Sequence, residues 1–432
     1  MTLPVSIPCQ AFTLDNGLRV LVHQDHAVPI ASVNVWYHVG SRDEQPGRTG
    51  IAHLFEHLMF EGSRHVPTGQ FDRLLEEQGA VNNGSTTVDR TNYWETLPAH
   101  ALELALFLEA DRMGGLLSAL TEDRFLAQRD VVRNERRQSF ENRPYGMASE
   151  LIAHALYAPG HPYRWPTIGY MGDLDAVSFA DARAFGATWY APRNATLAVA
   201  GDVDVAHVER LVRRWFETIP PGPVPPPAPV AQPARHRHGA VLTHEDDVRL
   251  ARLYRAWHSP PMFAPGDAAL DVAATILAQG RASRLEHALV HERELAQSVM
   301  CYQASAQLGS SLRLVITARP GVSLDLLDAE AGAILGTLAG DGPTDIELER
   351  ARNGLETTFV DALQAVGGFG GRADRLNSYL FFTGDPGYAA ADLERYRSLT
   401  RDDVAAALAA CLAPGGVRLD VVPRAMSAAD AA

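Results

Sequence analysis

Two histidines and a glutamate stand at helical spacing within one apolar segment, residues 50–63, GIAHLFEHLMFEGS. On a helix that advances about 100° per residue, His53, Glu56 and His57 project from one face. Two imidazoles one turn apart can bind one zinc ion, and the carboxylate between them can accept a proton from an attacking water. The order is H-x-x-E-H, the inverse of the more familiar H-E-x-x-H. The segment therefore predicts a hydrolytic zinc site.

The alternative interpretation of this segment is a core helix on which the polar residues are incidental, since a five-residue pattern also arises by chance. Burial of His53, Glu56 and His57 among Leu54 and Phe55 without polar partners would cost free energy. Metal coordination is one of the few arrangements that satisfies all three, which favours the zinc site.

A zinc ion bound by two histidines and a water lacks one protein ligand, and Glu135 is the candidate. In segment 121–142, residues recur at helical spacing on one stripe: Phe125, Gln128, Val132, Glu135 and Ser139. Glu135 thus shares a face with apolar residues, whereas Asp130 and Arg133 should point elsewhere. An exposed glutamate on a charged helix is the alternative, and the spacing alone leaves both open.

A second histidine pair, His287 and His291, has the same i, i+4 spacing in RLEHALVHEREL. The glutamate that follows, Glu292, lies about 100° away around the helix, so no carboxylate falls at the matching position. We interpret this pair as ordinary histidines on a helix surface.

Composition excludes several classes of protein. The chain has 432 residues, 46% of them hydrophobic, and a net charge of −14, which disfavours a nucleic-acid binder with a basic face. The three cysteines, Cys9, Cys301 and Cys411, include no CxxC pair, so neither a disulfide framework nor a thiolate zinc site is expected. No signal peptide or membrane span is evident, which predicts a cytoplasmic protein, or a periplasmic one if a leader has been removed.

A proline-rich stretch, residues 218–235, divides the chain into two similar halves. Each half opens with strand-like segments and continues into helical periodicity. This predicts an α+β protein of two homologous domains, 1–217 and 236–432, each a mostly antiparallel sheet with helices packed on it. When Gly280 is aligned with Gly62, His53, Glu56 and His57 fall opposite three residues that cannot form such a site: Asp271, Ala274 and Thr275.

Three segments together resemble the pitrilysin and insulinase family of zinc peptidases, which includes the mitochondrial processing peptidase. They are HLFEHLMFEGS, NNGSTTVDRTNYWETLP and QRDVVRNERRQSFENRPYG. The resemblance implies that His53 and His57 are zinc ligands, that Glu56 is the general base, and that Glu135 is the third ligand of one Zn²⁺ per chain. It also implies that the substrate backbone pairs with an edge strand by β-augmentation, at Asn82, Asn83, Gly84, Ser85 and Thr86.

The resemblance further implies a clam-shaped particle, which short members of the family build from two chains. In FGGRADRLNSYLFF, Arg372 and Tyr379 resemble an arginine–tyrosine pair that holds the substrate near the zinc of the partner chain. The alternative is a surface arginine and a partly buried tyrosine. Gln128 departs from the family pattern, because many relatives have a glutamate there.

The resulting expectation is a zinc metalloendopeptidase that hydrolyses short or unfolded peptides in an enclosed chamber, as a homodimer, with no nucleic-acid or membrane partner. Two alternatives within the family remain. The chain could be the catalytic subunit of a heterodimeric processing peptidase, or a non-catalytic structural relative. A peptide-binding protein without turnover is the alternative from another class.

Overall fold

The computed structural model describes residues 5–227 and 239–424, which form two compact units. Unit 1 comprises residues 5–135, 165–227 and Thr358–Leu393. Unit 2 comprises residues 136–164, 239–357 and 394–424. Of the predicted proline-rich linker, residues 228–235 lie outside the described residues, as do residues 236–238.

The units exchange segments relative to the predicted domains 1–217 and 236–432. Residues 136–164 belong to unit 2, and Thr358–Leu393 belongs to unit 1. The second exchange has a physical basis, because buried Asp374 accepts hydrogen bonds from side chains of the unit 1 sheet, among them Trp36 Nε1 at 2.8 Å. A linear reading of the sequence does not reveal such contacts between distant segments.

Unit 1 is built on a six-stranded sheet in the order β1-β2-β6-β3-β5-β4, antiparallel except between β2 and β6. Its strands are β1 Gln10–Thr13, β2 Arg19–Gln24, β3 Ile30–Tyr37, β4 Val81–Thr86, β5 Thr91–Pro98 and β6 Ala195–Gly201. The central strand β3, IASVNVWY, is rich in β-branched and aromatic residues and is buried along all but its first position. Such a strand needs a helical layer on each face.

The helices of the first half supply one of those layers. In chain order the helices are α1 Ile51–Leu58, α2 Gln70–Glu76, α3 Leu102–Ala119, α4 Glu122–Arg136, α5 Ala148–Leu156, α6 Met171–Ala176, α7 Phe179–Trp189 and α8 Val205–Phe216. Of these, α5 lies in unit 2 and is not part of the unit 1 layer. Helix α3 packs against β3 and β5, where buried Arg112 pairs with Glu95 and Glu109. A helix from late in the chain, at 372–383, covers the face of β3 that carries Asn34 and Trp36.

Unit 2 repeats the architecture with a five-stranded sheet in the order β7-β11-β8-β10-β9. Its strands are β7 Val241–Asp246, β8 Arg252–Ser259, β9 Ala296–Ala304, β10 Ser310–Ala318 and β11 Val417–Pro423. The helices of the second half of the chain are α9 Asp267–Ala278, α10 Leu324–Asp341, α11 Asp345–Ala362, α12 Arg372–Thr383, α13 Ala389–Arg397 and α14 Arg401–Leu412. Helices α9, α10 and α14 pack over a core that includes Leu270, Leu312 and Leu408.

The two sheets have the same topology. Five of the six strands of unit 1, in the order β2-β6-β3-β5-β4, have the parallel pair β2-β6 at one end and the edge strand β4 at the other, and β1 adds a further strand beside β2. In unit 2 the order β7-β11-β8-β10-β9 has the same arrangement. The predicted fold class, two homologous domains of mostly antiparallel sheet and packed helices, is confirmed. Among the described residues, no helix is long and apolar enough to cross a membrane.

Candidate metal centre and active site

Helix α1 carries the histidine pair, and its start is fixed by two residues. Gly50, immediately before the helix, has φ 90°, a conformation that L side chains rarely adopt. The carboxylate of buried Glu44 accepts hydrogen bonds from the backbone N–H groups of Gly50 at 3.0 Å and Ala52 at 2.8 Å. These bonds satisfy N–H groups that a helix end otherwise leaves unpaired, so the orientation of α1 is well defined.

The two faces of α1 differ sharply in burial. Leu54, Phe55 and Leu58 are fully buried in unit 1, whereas the side chains of His53 and His57 are 14% and 26% exposed. The helix is therefore held by its apolar face, and the imidazoles project from the accessible face. This arrangement is the one that the helical spacing predicts.

Helix α4 brings Glu135 to the same point. Its apolar stripe, with Phe125 and Val132 buried, places Glu135 towards α1. Glu135 Oε2 lies 3.4 Å from His57 Nε2 and 3.8 Å from His53 Nε2. Arg133 instead points elsewhere, to Asp130 at 2.8 Å, as the periodicity predicts.

The three donors fit a zinc ion. The ligand atoms of His53, His57 and Glu135 lie within 4.8 Å of one another, and they are the only group of this kind within the described residues. Ligands at about 2.0–2.2 Å from a tetrahedral zinc are roughly 3.3–3.6 Å apart. The separations of 3.4 and 3.8 Å are close to that value. Two imidazoles with one carboxylate form a donor set typical of catalytic zinc, with one position open.

Electrostatics also suit the binding of a cation. Burial, together with repulsion from His57, lowers the pKa of His53 to about 4, so its imidazole is neutral at pH 7. Burial alone would lower the pKa of His57, but its hydrogen bond to Glu135 and the charge of that carboxylate outweigh burial and raise it. The same hydrogen bond lowers the pKa of Glu135.

Glu56 lies on the same helix but has a different partner. Its Oε2 accepts a hydrogen bond of 2.6 Å from Thr86 Oγ1, at the end of β4. Burial raises the pKa of Glu56, although the Thr86 hydrogen bond and the charge of His57 oppose the shift. A carboxylate with a raised pKa beside the candidate metal ligands is suited to take up a proton.

The structure adds an interaction that the sequence did not indicate. Glu61, for which no role was predicted, accepts a hydrogen bond of 2.6 Å from Gln128 Nε2. The Gln128 side chain also contributes to the raised pKa of His57. The amide therefore lies close to both a candidate metal ligand and a carboxylate. Only the helical stripe shared by Gln128 and Glu135 could have suggested this contact.

Strand β4 is an edge strand, as the sequence predicts. It is the last in the sheet order and, within the described residues, pairs with β5 alone. Val81 at its start is 60% exposed, and Asn82 Nδ2 donates to Asp72 Oδ1 at 2.8 Å. The predicted substrate residues Asn82, Asn83, Gly84, Ser85 and Thr86 all lie on this strand.

Arg372 and Tyr379 lie on α12, which belongs to unit 1 and not to the second domain, where they were predicted. Tyr379 is buried, 2% exposed, and its hydroxyl donates to Asp392 Oδ2 at 2.9 Å. The Arg372 guanidinium forms an ion pair with Asp25 at 2.5 Å. Both side chains are thus engaged inside unit 1, and their role towards a substrate stays a prediction.

The second half shows the corresponding helix without the ligands. Asp271, Ala274 and Thr275 lie on α9 and line a cleft of about 360 Å³ beside the edge strand β9. Their position next to β9 matches that of His53, Glu56 and His57 next to β4. The pair His287 and His291 lies in a short π-helical segment, Glu286–Glu292, and forms no three-ligand group within the described residues.

Comparison with known proteins agrees with this geometry. Residues 19–161 match the family model "Insulinase (Peptidase family M16)", and residues 176–355 match "Peptidase M16 inactive domain". A zinc protease, PqqE, from Helicobacter pylori is 31% identical over 376 residues, which cover 84% of each chain. The chain belongs to the insulinase family, peptidase family M16. The ligand set lies in the part that matches the first family model.

Other members of the insulinase family are similar over most of their length. A probable mitochondrial-processing peptidase subunit beta from Arabidopsis thaliana is 26% identical over 362 residues, which cover 81% of this chain and 66% of the plant protein. The crystal structure of a protease from Helicobacter pylori superposes with a TM-score of 0.89 at 27% identity, covering 97% of this chain and all of that one. The resemblance stated from the sequence is confirmed.

Proposed function

We propose that this protein is a zinc-dependent endopeptidase that hydrolyses peptide bonds of short or unfolded peptides. The observation that carries the proposal is the convergence of His53, His57 and Glu135, with Glu56 beside them on the same helix. Membership of a family whose relatives include proteins named zinc proteases supports it. A non-catalytic relative is less favoured, because the complete ligand set and the candidate base are present together.

Each residue has a distinct task in the proposed reaction. Neutral imidazoles of His53 and His57 and the carboxylate of Glu135 would hold the metal. When bound, zinc supplies a Lewis acid that polarises the scissile carbonyl and lowers the pKa of water to about 7. Glu56 accepts the proton of the attacking water on its carboxylate and delivers it to the leaving amine nitrogen.

Substrate binding is assigned to the edge of the unit 1 sheet. An extended peptide that pairs with the backbone of β4 would lie beside Thr86 and Glu56. Pairing of this kind recognises main-chain N–H and C=O groups, so the protein should accept peptides of varied sequence. A folded protein does not offer such a free strand, which favours unfolded peptides as substrates.

A two-chain assembly is part of the proposal, and the resemblance to short members of the family supports it. In a homodimer, Arg372 and Tyr379 of each chain would have to be available to the zinc site of the partner chain. Because Tyr379 is buried and donates to Asp392, the structure favours this availability less, and the catalytic subunit of a heterodimer is a second candidate. Similarity to a processing-peptidase beta subunit also favours this candidate.

A metal-reconstitution assay tests the proposed activity. The protein is stripped with a chelator, and cleavage of a quenched fluorogenic peptide is measured as zinc is returned. We expect no cleavage without metal and full recovery at one zinc per chain. Absence of cleavage by the zinc-loaded protein against a broad peptide library, in the presence of any co-purifying partner chain, would contradict the proposal.

A further inference from the structure

The hydroxyl of Thr86 connects the edge strand to the candidate base. Thr86 is the last residue of β4, and its Oγ1 lies 2.6 Å from Glu56 Oε2. Thirty positions separate the two residues in the sequence, so the contact is tertiary. Within the described residues, the Thr86 hydroxyl is the side-chain group that donates a hydrogen bond to the Glu56 carboxylate.

The direction of this hydrogen bond follows from the neighbouring groups. An ionised carboxylate can only accept, so Thr86 must donate to Glu56. Thr91 Oγ1 also lies near, 3.3 Å from Thr86 Oγ1, but it donates its own proton to the backbone oxygen of Val39 at 3.0 Å. The hydroxyl proton of Thr86 is therefore directed to Glu56.

We propose that Thr86 is a positioning residue for Glu56, an inference that rests on the proposed peptidase function. Its hydroxyl holds Oε2 of the carboxylate and thereby leaves Oε1 to accept the proton of the attacking water. A glutamate side chain has three rotatable bonds, and an unrestrained carboxylate would sample several rotamers. Displacement of a reacting group by about 1 Å can lower the rate by about 100-fold.

The position of Thr86 also connects substrate binding with catalysis. A peptide that pairs along the whole of β4 reaches Thr86, the residue that hydrogen-bonds the candidate base. The same strand would therefore position both the scissile bond and the Glu56 carboxylate. A threonine on the next strand, Thr96, offers a contrast, because its buried Oγ1 has no hydrogen-bond partner within the described residues.

Steady-state kinetics on Thr86 variants test the inference. Thr86→Val keeps the shape of the side chain and removes the hydroxyl, and Thr86→Ser keeps the hydroxyl. We expect Thr86→Val to lower kcat about 10–100-fold, with KM and zinc affinity unchanged within about twofold. Thr86→Ser should restore most of kcat, and Thr96→Val, the same change in the same sheet, should leave it unchanged.

Several outcomes would overturn the positioning role. They are a kcat for Thr86→Val equal to wild type, a change confined to KM, or a Thr86→Ser variant as impaired as Thr86→Val. If Thr86→Val fails to fold, Thr86→Ala replaces it in the same comparison. A zinc-loaded wild-type protein without turnover would instead overturn the proposed function and the positioning role with it, so the two failures are distinguishable.

Discussion

At the scale of single residues, Glu135 is the proposed ligand whose placement depends most on the fold. Periodicity placed it on an apolar stripe but could not exclude an exposed glutamate. The structure brings its carboxylate to 3.4 Å from His57 Nε2, through helix packing that no local pattern specifies.

We expect Glu135→Ala to weaken zinc binding more than about 100-fold, because removal of an outer-shell partner alone costs about 10–100-fold. Asp130→Ala is the matched control, since Asp130 lies on the same helix and pairs with Arg133 at the surface. Zinc affinity measured by competition with a chromophoric chelator distinguishes the variants. Equal affinities would show that Glu135 is not a ligand.

Proton competition at His57 predicts the pH dependence of metal binding. Glu135 raises the pKa of His57 above its usual value, so the metal-free site holds a proton there as the pH falls. Zinc binds the neutral ring and must displace this proton. The apparent affinity for zinc therefore falls about tenfold for each pH unit below the pKa of His57. Isothermal titration in buffers of different ionisation enthalpy should reveal proton release at pH 6 that diminishes as the pH is raised. Binding without proton release at pH 6 would contradict this assignment.

Sequence reasoning identified His53, Glu56 and His57 because an i, i+3, i+4 pattern depends only on helix geometry. It missed the contacts of Glu61 with Gln128 and of Thr86 with Glu56 for the opposite reason. Both join residues that are far apart in the sequence and on different elements. Such contacts depend on packing, which a single sequence does not specify.

At the scale of elements, the start of α1 fixes the orientation of the two proposed histidine ligands. A Cβ at Gly50 would lie 2.6 Å from the backbone oxygen of Ile168, in addition to the strain of φ 90°. Gly47 also has a positive φ, 84°, but a Cβ there would have no atom within 4 Å. Gly47→Ala therefore measures the cost of the backbone conformation without a steric clash.

We expect Gly47→Ala to lower the free energy of unfolding by about 1–2 kcal/mol. Gly50→Ala should lower it by about a further 1–3 kcal/mol through overpacking, and zinc occupancy should fall because α1 is displaced. Urea denaturation and zinc analysis of both variants measure these effects. Equal stabilities would show that the contact with Ile168 relaxes without cost.

Helix α12 offers a test of whether Tyr379 acts on substrate or on the fold. Tyr379→Phe removes one donor from the buried carboxylate of Asp392, which should destabilise the protein by about 1–3 kcal/mol. If the role is structural, kcat per folded molecule should stay near the wild-type value below the unfolding transition. A loss of kcat at unchanged stability would instead support the predicted substrate contact.

At the scale of the whole molecule, the internal duplication could be predicted and the exchange of segments could not. Strand and helix segments repeat in both halves, and five strands of the unit 1 sheet have the same order as the five strands of unit 2. The assignment of 136–164 to unit 2 and of Thr358–Leu393 to unit 1 arises from contacts between distant segments. The sequence offers no local signal for such contacts.

The assembly proposal predicts a solution mass of twice the 46.9 kDa chain for a homodimer. Light scattering of the purified chain measures this directly. A single-chain mass without peptidase activity, with activity restored by a second co-expressed chain, would support the heterodimer. A single-chain mass with full activity would contradict both two-chain proposals.

The measurement that tests the central claim most directly is a paired comparison of wild type with Glu56→Gln. Gln is isosteric with Glu and cannot accept a proton from water at neutral pH, while the three proposed ligands are untouched. We expect one zinc per chain in both proteins, with peptide turnover by wild type and a loss of about 100-fold or more in the variant, the range typical of general-base removal. Turnover by Glu56→Gln equal to that of wild type, at equal zinc content, would contradict the account.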